Sequence, residues 1–240
     1  MAVSRRKALQ ISGTALTGLS LGALTAKQLL AQGGQAAADD FPDTLVEGPL
    51  REGFPADLPL LPDGSAPLHD PSEAGEITDP LFWRTEGRVT PASIDPDPRN
   101  MAVRIDTRGL GRMRGTLRFA DLERLPRVEA TYLLQCGAAN PRGIVTWGGV
   151  RFADFAAMLG LHEGVHYCRF TAIDGFYADE DMDSLRHRQV MLAWMMNGEP
   201  MPADHGAPLR LIMPFRYGNR SVKSITGMMF GTPGLPPPTA

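Results

Sequence analysis

The chain has 240 residues, 43% of them apolar and 21% charged, which is globular composition with room for one well-buried core or a small pair and excludes disordered, collagenous or nucleic-acid-coating proteins. The net charge of -3 is uneven, because residues 1–38 carry Arg5, Arg6, Lys7 and Lys27 without any acid and the remainder holds 20 basic against 27 acidic residues. A body of that sign repels polyphosphate, so nucleic acid is not an expected partner and any bound anion must sit in a local basic pocket.

In chain order, Ser4-Arg5-Arg6-Lys7-Ala8-Leu9 precedes a weakly apolar stretch, Ile11 to Ala26, and Ala36-Ala37-Ala38 offers a small-residue cleavage site. A twin arginine in that setting reads as the address for export of already folded proteins, with residues 1–38 as signal and the periplasm as destination; an ordinary secretory signal and an uncleaved anchor are the alternatives. Folded export implies a cofactor loaded before transit. Residues 39–80 are rich in Pro, Asp and Gly without period and predict an extended arm that either wraps the body or stays mobile.

From Met101 the pattern becomes regular. Met101, Val103 and Ile105 alternate, as do Leu117 and Phe119, and Ala120 to Leu125 predicts a short helix that stops before Pro126. Val128 to Gln135 predicts a strand ending at Cys136. Phe152, Phe155, Met158 and Leu159 fall at helical spacing within Arg151 to Leu161, with Gly160 near the end. Strands are expected at His166 to Ala172, Val190 to Met196, Leu209 to Met213 and Ser221 to Phe230, with Asn197-Gly198 as a tight turn. Short strands with few helices and no regular alternation of the two predict an α+β fold over residues 81–232, followed by a flexible tail at 233–240. No later segment is apolar for long enough to span a bilayer.

Lysine usage gives the sharpest chemical signal: after residue 38 there are 19 arginines and one lysine, Lys223. Ammonium is a compact point charge and guanidinium a rigid fork, so one retained lysine suits a tight anion pocket, the alternative being a chance surface lysine. His205 and Arg210 precede it in the same C-terminal unit, and three cation-capable groups there could meet one phosphate. Taken singly, Arg210 in an apolar strand would be expected to pair with an acid, and His205 to be a turn histidine. Cys136 enters the small-residue loop Gly137-Ala138-Ala139-Asn140-Pro141-Arg142-Gly143, where a thiol suits a soft metal or nucleophilic chemistry; an inert thiol or a disulfide to Cys168 are the alternatives. Cys168 fits a core strand. No Cys-x-x-Cys-His haem motif, Gly-x-Gly-x-x-Gly or His-Glu-x-x-His occurs, and two cysteines are too few for an iron–sulfur cluster.

Leu134-Gln135-Cys136-Gly137-Ala138-Ala139-Asn140, Trp147-Gly148-Gly149-Val150-Arg151-Phe152-Ala153-Asp154, the run from Met195 through Asn197-Gly198-Glu199-Pro200 and Asp204-His205-Gly206 to Arg210, and Tyr217-Gly218-Asn219-Arg220-Ser221-Val222-Lys223 together resemble the molybdopterin-binding domain of the sulfite oxidase family. The resemblance runs from about Leu81 to Phe230. It implies a mixed-sheet single domain, a molybdenum–pyranopterin dithiolene cofactor with Cys136 as the protein's metal ligand, and His205, Arg210, Ser221 and Lys223 as cofactor-binding positions. It further implies Arg84, in Phe82-Trp83-Arg84-Thr85-Glu86-Gly87, as oxyanion contact and Tyr177 (or its neighbour Phe176) as the active-site tyrosine. Thr85-Glu86 departs from the usual Asn-His, the Cys136 loop is one residue longer than common, and the family's dimerisation domain is missing from the match. The implied activity is oxygen-atom transfer, sulfite to sulfate first, with electrons passing to a c-type cytochrome or membrane haem subunit. Reduction of sulfoxides such as methionine sulfoxide is the alternative, and a non-catalytic binding domain of the same fold is a third.

Overall fold

The structure is a computed structural model that describes residues 44, 47–48, 55–77, 89–137 and 141–232. The signal-like segment, Arg84 with its block, the tip of the Cys136 loop and the tail at 233–240 lie outside the described residues. By its internal contacts the chain divides into Met1–Leu50 and Arg51–Ala240, and every described strand and helix belongs to the second unit.

The strands are β1 (Val103–Asp106), β2 (Gly115–Leu117), β3 (Arg127–Gln135), β4 (Arg142–Arg151), β5 (Tyr167–Ala172), β6 (Tyr177–Asp181), β7 (Met191–Met196), β8 (Glu199–Pro200), β9 (Arg210–Ile212) and β10 (Ile225–Gly231). They form two sheets, one ordered β2-β1-β10-β5-β6 and one ordered β3-β4-β7-β8, with β9 also pairing with β7. β1 and β10 run parallel while their other neighbours are antiparallel, so the first sheet is mixed, as the α+β reading requires. Between these two strands in sequence lies the whole second sheet. Among the described residues three short α-helices, α1 (Phe119–Leu122), α2 (Phe152–Leu159) and α3 (Met182–Leu185), fill connections.

Local chemistry explains most boundaries. α2 buries Phe152, Phe155, Ala156 and Leu159 at helical spacing and stops at Gly160, whose φ of 59° is the left-handed conformation that only glycine adopts without a Cβ penalty. Phe152 meets Phe155 edge-on and Phe170 and Phe230 at tilted angles, which joins α2 to β5 and β10 in the first core. Asn197 and Gly198, at φ 51° and 81°, make the expected tight turn between β7 and β8. A second core, Tyr132, Leu134, Val145, Trp147, Ala193, Met196 and Ile212 among others, lies on the second sheet.

Some expectations need correction. Phe119 begins α1 instead of continuing β2, and α1 ends at Leu122, three residues short of the expected stop. The strand expected from Ser221 begins only at Ile225, because Ser224 has φ 42° and the Ser221 hydroxyl oxygen accepts from the Met213 N–H instead of facing a ladder. The sequence signals also missed β4 and β6 altogether.

Residues 55–77 bond to the body. His69 N–H donates to the Thr131 carbonyl and Gly75 N–H to that of Ile144, while the buried Gln189 carboxamide both accepts from Ala66 N–H at 2.9 Å and donates to its carbonyl at 2.8 Å. A segment whose own secondary structure is one 3-10 turn, Pro71–Glu73, thus satisfies part of its backbone on the second sheet.

Gly149 is the tightest backbone contact in that sheet: a Cβ there would lie 2.7 Å from Ala193 Cα, 2.8 Å from the Leu192 carbonyl carbon of β7 and closer still to that carbonyl's oxygen. Gly149→Ala is therefore expected to cost about 3 kcal/mol, the upper end for overpacking, since a strand backbone cannot rotate aside as a side chain can. Urea denaturation measures this, and an unchanged midpoint would show that β4 and β7 can separate freely.

Candidate functional site

β3 buries its last six residues and then delivers Cys136 to a half-buried position at its end. The Cys136 N–H donates to the Pro141 carbonyl at 2.9 Å, closing the β3–β4 loop at its base. Both cysteines are free thiols, which removes the disulfide alternative. Cys168 is fully enclosed in β5, and burial, with Asp179 and Glu180 nearby, pushes its thiol well above the usual range; it is chemically inert, as its strand position predicts. Only Cys136 is placed for chemistry.

The arm braces this thiol from outside. Ala56 N–H donates to the Gly137 carbonyl at 2.6 Å and the buried Gln135 amide donates to the Asp57 carbonyl at 3.1 Å, so both residues flanking Cys136 are held. Tyr217 donates its hydroxyl to the Ala56 carbonyl at 2.9 Å. Next to it, Gly218 lies so close to β3 that a Cβ there would come 3.5 Å from the Gln135 carbonyl oxygen. The loop that leads to Lys223 therefore starts beside the cysteine.

His205 closes a single 3-10 turn, Ala203–His205, and Gly206 follows at φ 111°, with no room for a Cβ because Lys223 Cβ would be 2.9 Å away. The Ser224 N–H donates to the Gly206 carbonyl and the Ile225 N–H to that of Leu209, which locks the two segments together. Arg210, only 4% exposed on β9, donates Nη1 to the His205 carbonyl at 2.6 Å, and Lys223 donates Nζ to the Asp204 carbonyl. His205, Arg210 and Lys223 are thus brought together, as their spacing predicts.

Their electrostatics are those of crowded, desolvated cations. Burial alone lowers Arg210 to about 9. Burial, then the Arg210 charge, lowers Lys223 to about 7, with Asp204 and Asp174 opposing. Burial followed by Arg210 and Lys223 also lowers His205. The acid expected to pair with Arg210 is missing: among the described residues it makes no ion pair, and its guanidinium instead lies 5.0 Å from the centre of the Trp147 ring. Buried Arg210 Nε and His205 Nδ1 have no hydrogen-bond partner there, a cost of about 1–3 kcal/mol each when left so. A buried guanidinium without an ion pair among the described residues and orphaned buried nitrogens in one place fit an anionic group such as a phosphate.

The remaining candidates are placed differently. Ser221 lies in the same loop but is buried, with its hydroxyl oxygen already accepting from Met213 N–H at 3.0 Å. Tyr177 opens β6 in the other sheet, 41% exposed and stacked 4.9 Å from Arg169, which is paired with Asp179; no described contact joins it to Cys136. Phe176 packs against the first core. Arg220 bonds buried Glu180 at 2.6 Å and so ties the loop after Tyr217 to β6. Sequence reasoning missed Trp147, Gly206 and Gln135, although each stands inside or beside a motif it had marked.

Among the described residues no three His, Cys, Asp or Glu side chains group into a metal cage. The donor set instead fits a metal carried by an organic chelate: Cys136 would give one thiolate, and His205, Arg210 and Lys223 would hold the chelate's phosphate.

Comparison with known proteins agrees. The family model for the oxidoreductase molybdopterin binding domain matches residues 89–233. Human mitochondrial sulfite oxidase is 30% identical over 174 residues, covering 60% of this chain and 31% of that protein. A putative protein-methionine-sulfoxide reductase subunit, YedZ1 of Azospira oryzae, is 28% identical over 127 residues, covering 53% of this chain and 48% of its own. The chain thus spans less than half the length of either relative. The crystal structure of the sulfane dehydrogenase SoxCD from Paracoccus pantotrophus superposes with a TM-score of 0.52 at 21% identity, over 57% of this chain and 39% of that one, which is a likeness of fold. With the family model spanning more than half of its length, the chain belongs to the oxidoreductase molybdopterin-binding domain family, whose sulfite-oxidase-type fold it shares.

Proposed function

We propose that this chain is a mononuclear molybdenum oxidoreductase that oxidises sulfite to sulfate and passes the electrons to a haem protein. The observation that carries the reading is the buried Arg210, which has no carboxylate partner among the described residues and stands with His205 and Lys223 in the segment anchored beside Cys136. When bound, the molybdenum–pterin group supplies two-electron oxygen-atom transfer. The chain's own part is to give one thiolate from Cys136, to hold the phosphate in the cationic cradle and, through Arg84, to orient an oxyanion substrate. Export by the twin-arginine route to the periplasm, with a c-type cytochrome or membrane haem subunit as electron acceptor, belongs to the same proposal.

Sulfoxide reduction is the second reading, favoured by the likeness to the YedZ1 subunit, whose name assigns it to a methionine sulfoxide reductase. Protein purified from a host that makes the cofactor is expected to carry about one molybdenum per chain and to reduce a one-electron dye when given sulfite. Turnover of methionine sulfoxide with a reduced dye, and none with sulfite, would replace the first reading by the second. Protein without molybdenum or pterin would overturn both and leave a binding domain.

A further inference from the structure

Arg210 keeps its charge in a buried site without an acid, and the structure shows what takes the acid's place. Trp147 on β4 is fully buried, and Arg210 on β9 lies across β7 from it. Ala193 of β7 pairs with Arg210 on one side and Gly149 on the other, so the residue between the two strands at this level presents only a methyl. A long side chain can lie across that low point. The guanidinium accordingly lies 5.0 Å from the ring centre while Nη1 is fixed on the His205 carbonyl.

We infer that Trp147 is a positioning residue for the cofactor's phosphate, its indole face orienting the Arg210 guanidinium without neutralising it. A carboxylate in that position would also steady Arg210, but it would cancel the positive charge that an incoming phosphate needs. An aromatic face attracts the cation through its quadrupole and carries no net charge, so the full charge stays available to a ligand. Burial leaves the indole N–H without a hydrogen-bond partner among the described residues, about 1–3 kcal/mol, but a second buried ion would be more expensive. The orphaned Nε of Arg210 then has a donor to offer. This inference rests on the molybdopterin reading of the site.

The test replaces Trp147 by mono-, di- and trifluorotryptophan, which keeps the ring's shape while draining its face. Two quantities are read: binding of a phosphate monoester, glycerol phosphate, to cofactor-free protein, and pterin content of protein made in a cofactor-producing host. Affinity for glycerol phosphate is expected to fall in graded steps to about fivefold weaker at three fluorines, a fraction of what a desolvated cation–π contact supports. In an Arg210→Met background the gradient should vanish. A flat response in the Arg210 protein, with normal pterin content, would overturn the role of Trp147 while leaving the site intact. Absence of pterin from the unsubstituted protein would instead overturn the reading on which the inference stands. Thermal unfolding of each fluorinated protein separates a packing defect from a charge effect, since lost affinity that tracks lost stability in both backgrounds would also refute the inference.

Discussion

Cys136→Ser is expected to reduce turnover to background while leaving the pterin in place. Serine differs from cysteine by one atom, and the side chain is only half-buried, so the exchange should cost little packing. The Cys136 N–H bond to Pro141 and the ties from Gln135 and Gly137 to the arm do not involve the sulfur, so the loop keeps its shape. The metal, however, would lose a soft thiolate and be offered a poor, protonated oxygen in its place. Removal of a supporting group around a metal site typically costs 10–100-fold, roughly, and loss of the ligand itself should exceed that. In the proposed site the pterin would be held at its other end by His205, Arg210 and Lys223, so its content should stay above about half of the unsubstituted level. Activity assay, pterin fluorescence after release and X-ray absorption for sulfur ligation check the three parts. Undiminished activity would show that Cys136 is not the ligand, whereas loss of pterin together with fold would show that the thiol is structural.

The parts that sequence conveyed and the parts it hid differ for physical reasons. α2 was legible because four large apolar residues repeat at helical spacing and a glycine marks the stop, and β3 because its apolar run ends abruptly at a loop of small residues. β4 was hidden by Gly148 and Gly149, which weaken any strand pattern, yet those glycines are there because β7 passes too close for side chains. β6, Tyr-Ala-Asp-Glu-Asp, looks like a polar loop until Arg169 and Arg220 are seen to pair with its acids. In the site, Lys223 was conspicuous by composition alone, and its company with His205 and Arg210 followed from nearness in the chain. The unpaired state of Arg210 was not legible, since the expected acid is replaced by an indole two strands away, a relation that only the β4–β7–β9 register creates. Arg84 and Tyr177 rest on resemblance: the first lies outside the described residues, and the second stands on the other sheet.

Phosphate binding by the cofactor-free protein is expected to weaken about tenfold per pH unit between pH 7.5 and 9, and the empty protein is expected to gain thermal stability over the same range. Both follow from Lys223 at about 7, below the 10.5 of an exposed lysine. Because the folded state gives up this proton first, the unfolded chain holds more protons between these values, and stability must rise with pH across that window. Arg210, lowered to about 9, contributes in the same direction at the upper end. A phosphate monoester is already a dianion above pH 7, its second pKa being about 6, so its own titration adds little there. It binds the protonated ammonium, and each unit above 7 makes that form tenfold scarcer in the empty site. Lys223→Arg separates this from a general charge effect, since a guanidinium, whose ordinary value of 12.5 lies above the 10.5 of an ammonium, stays protonated to higher pH in the same surroundings. The variant should lose most of the pH slope in both measurements. It should also bind glycerol phosphate more weakly at pH 6.5, because a rigid planar fork does not reproduce the compact ammonium that donates to the Asp204 carbonyl. Calorimetric titration and thermal melts from pH 6.5 to 9.5 check the pair of slopes. An undiminished slope in the variant would assign the titration to another group and remove the one lysine of the body from the phosphate site.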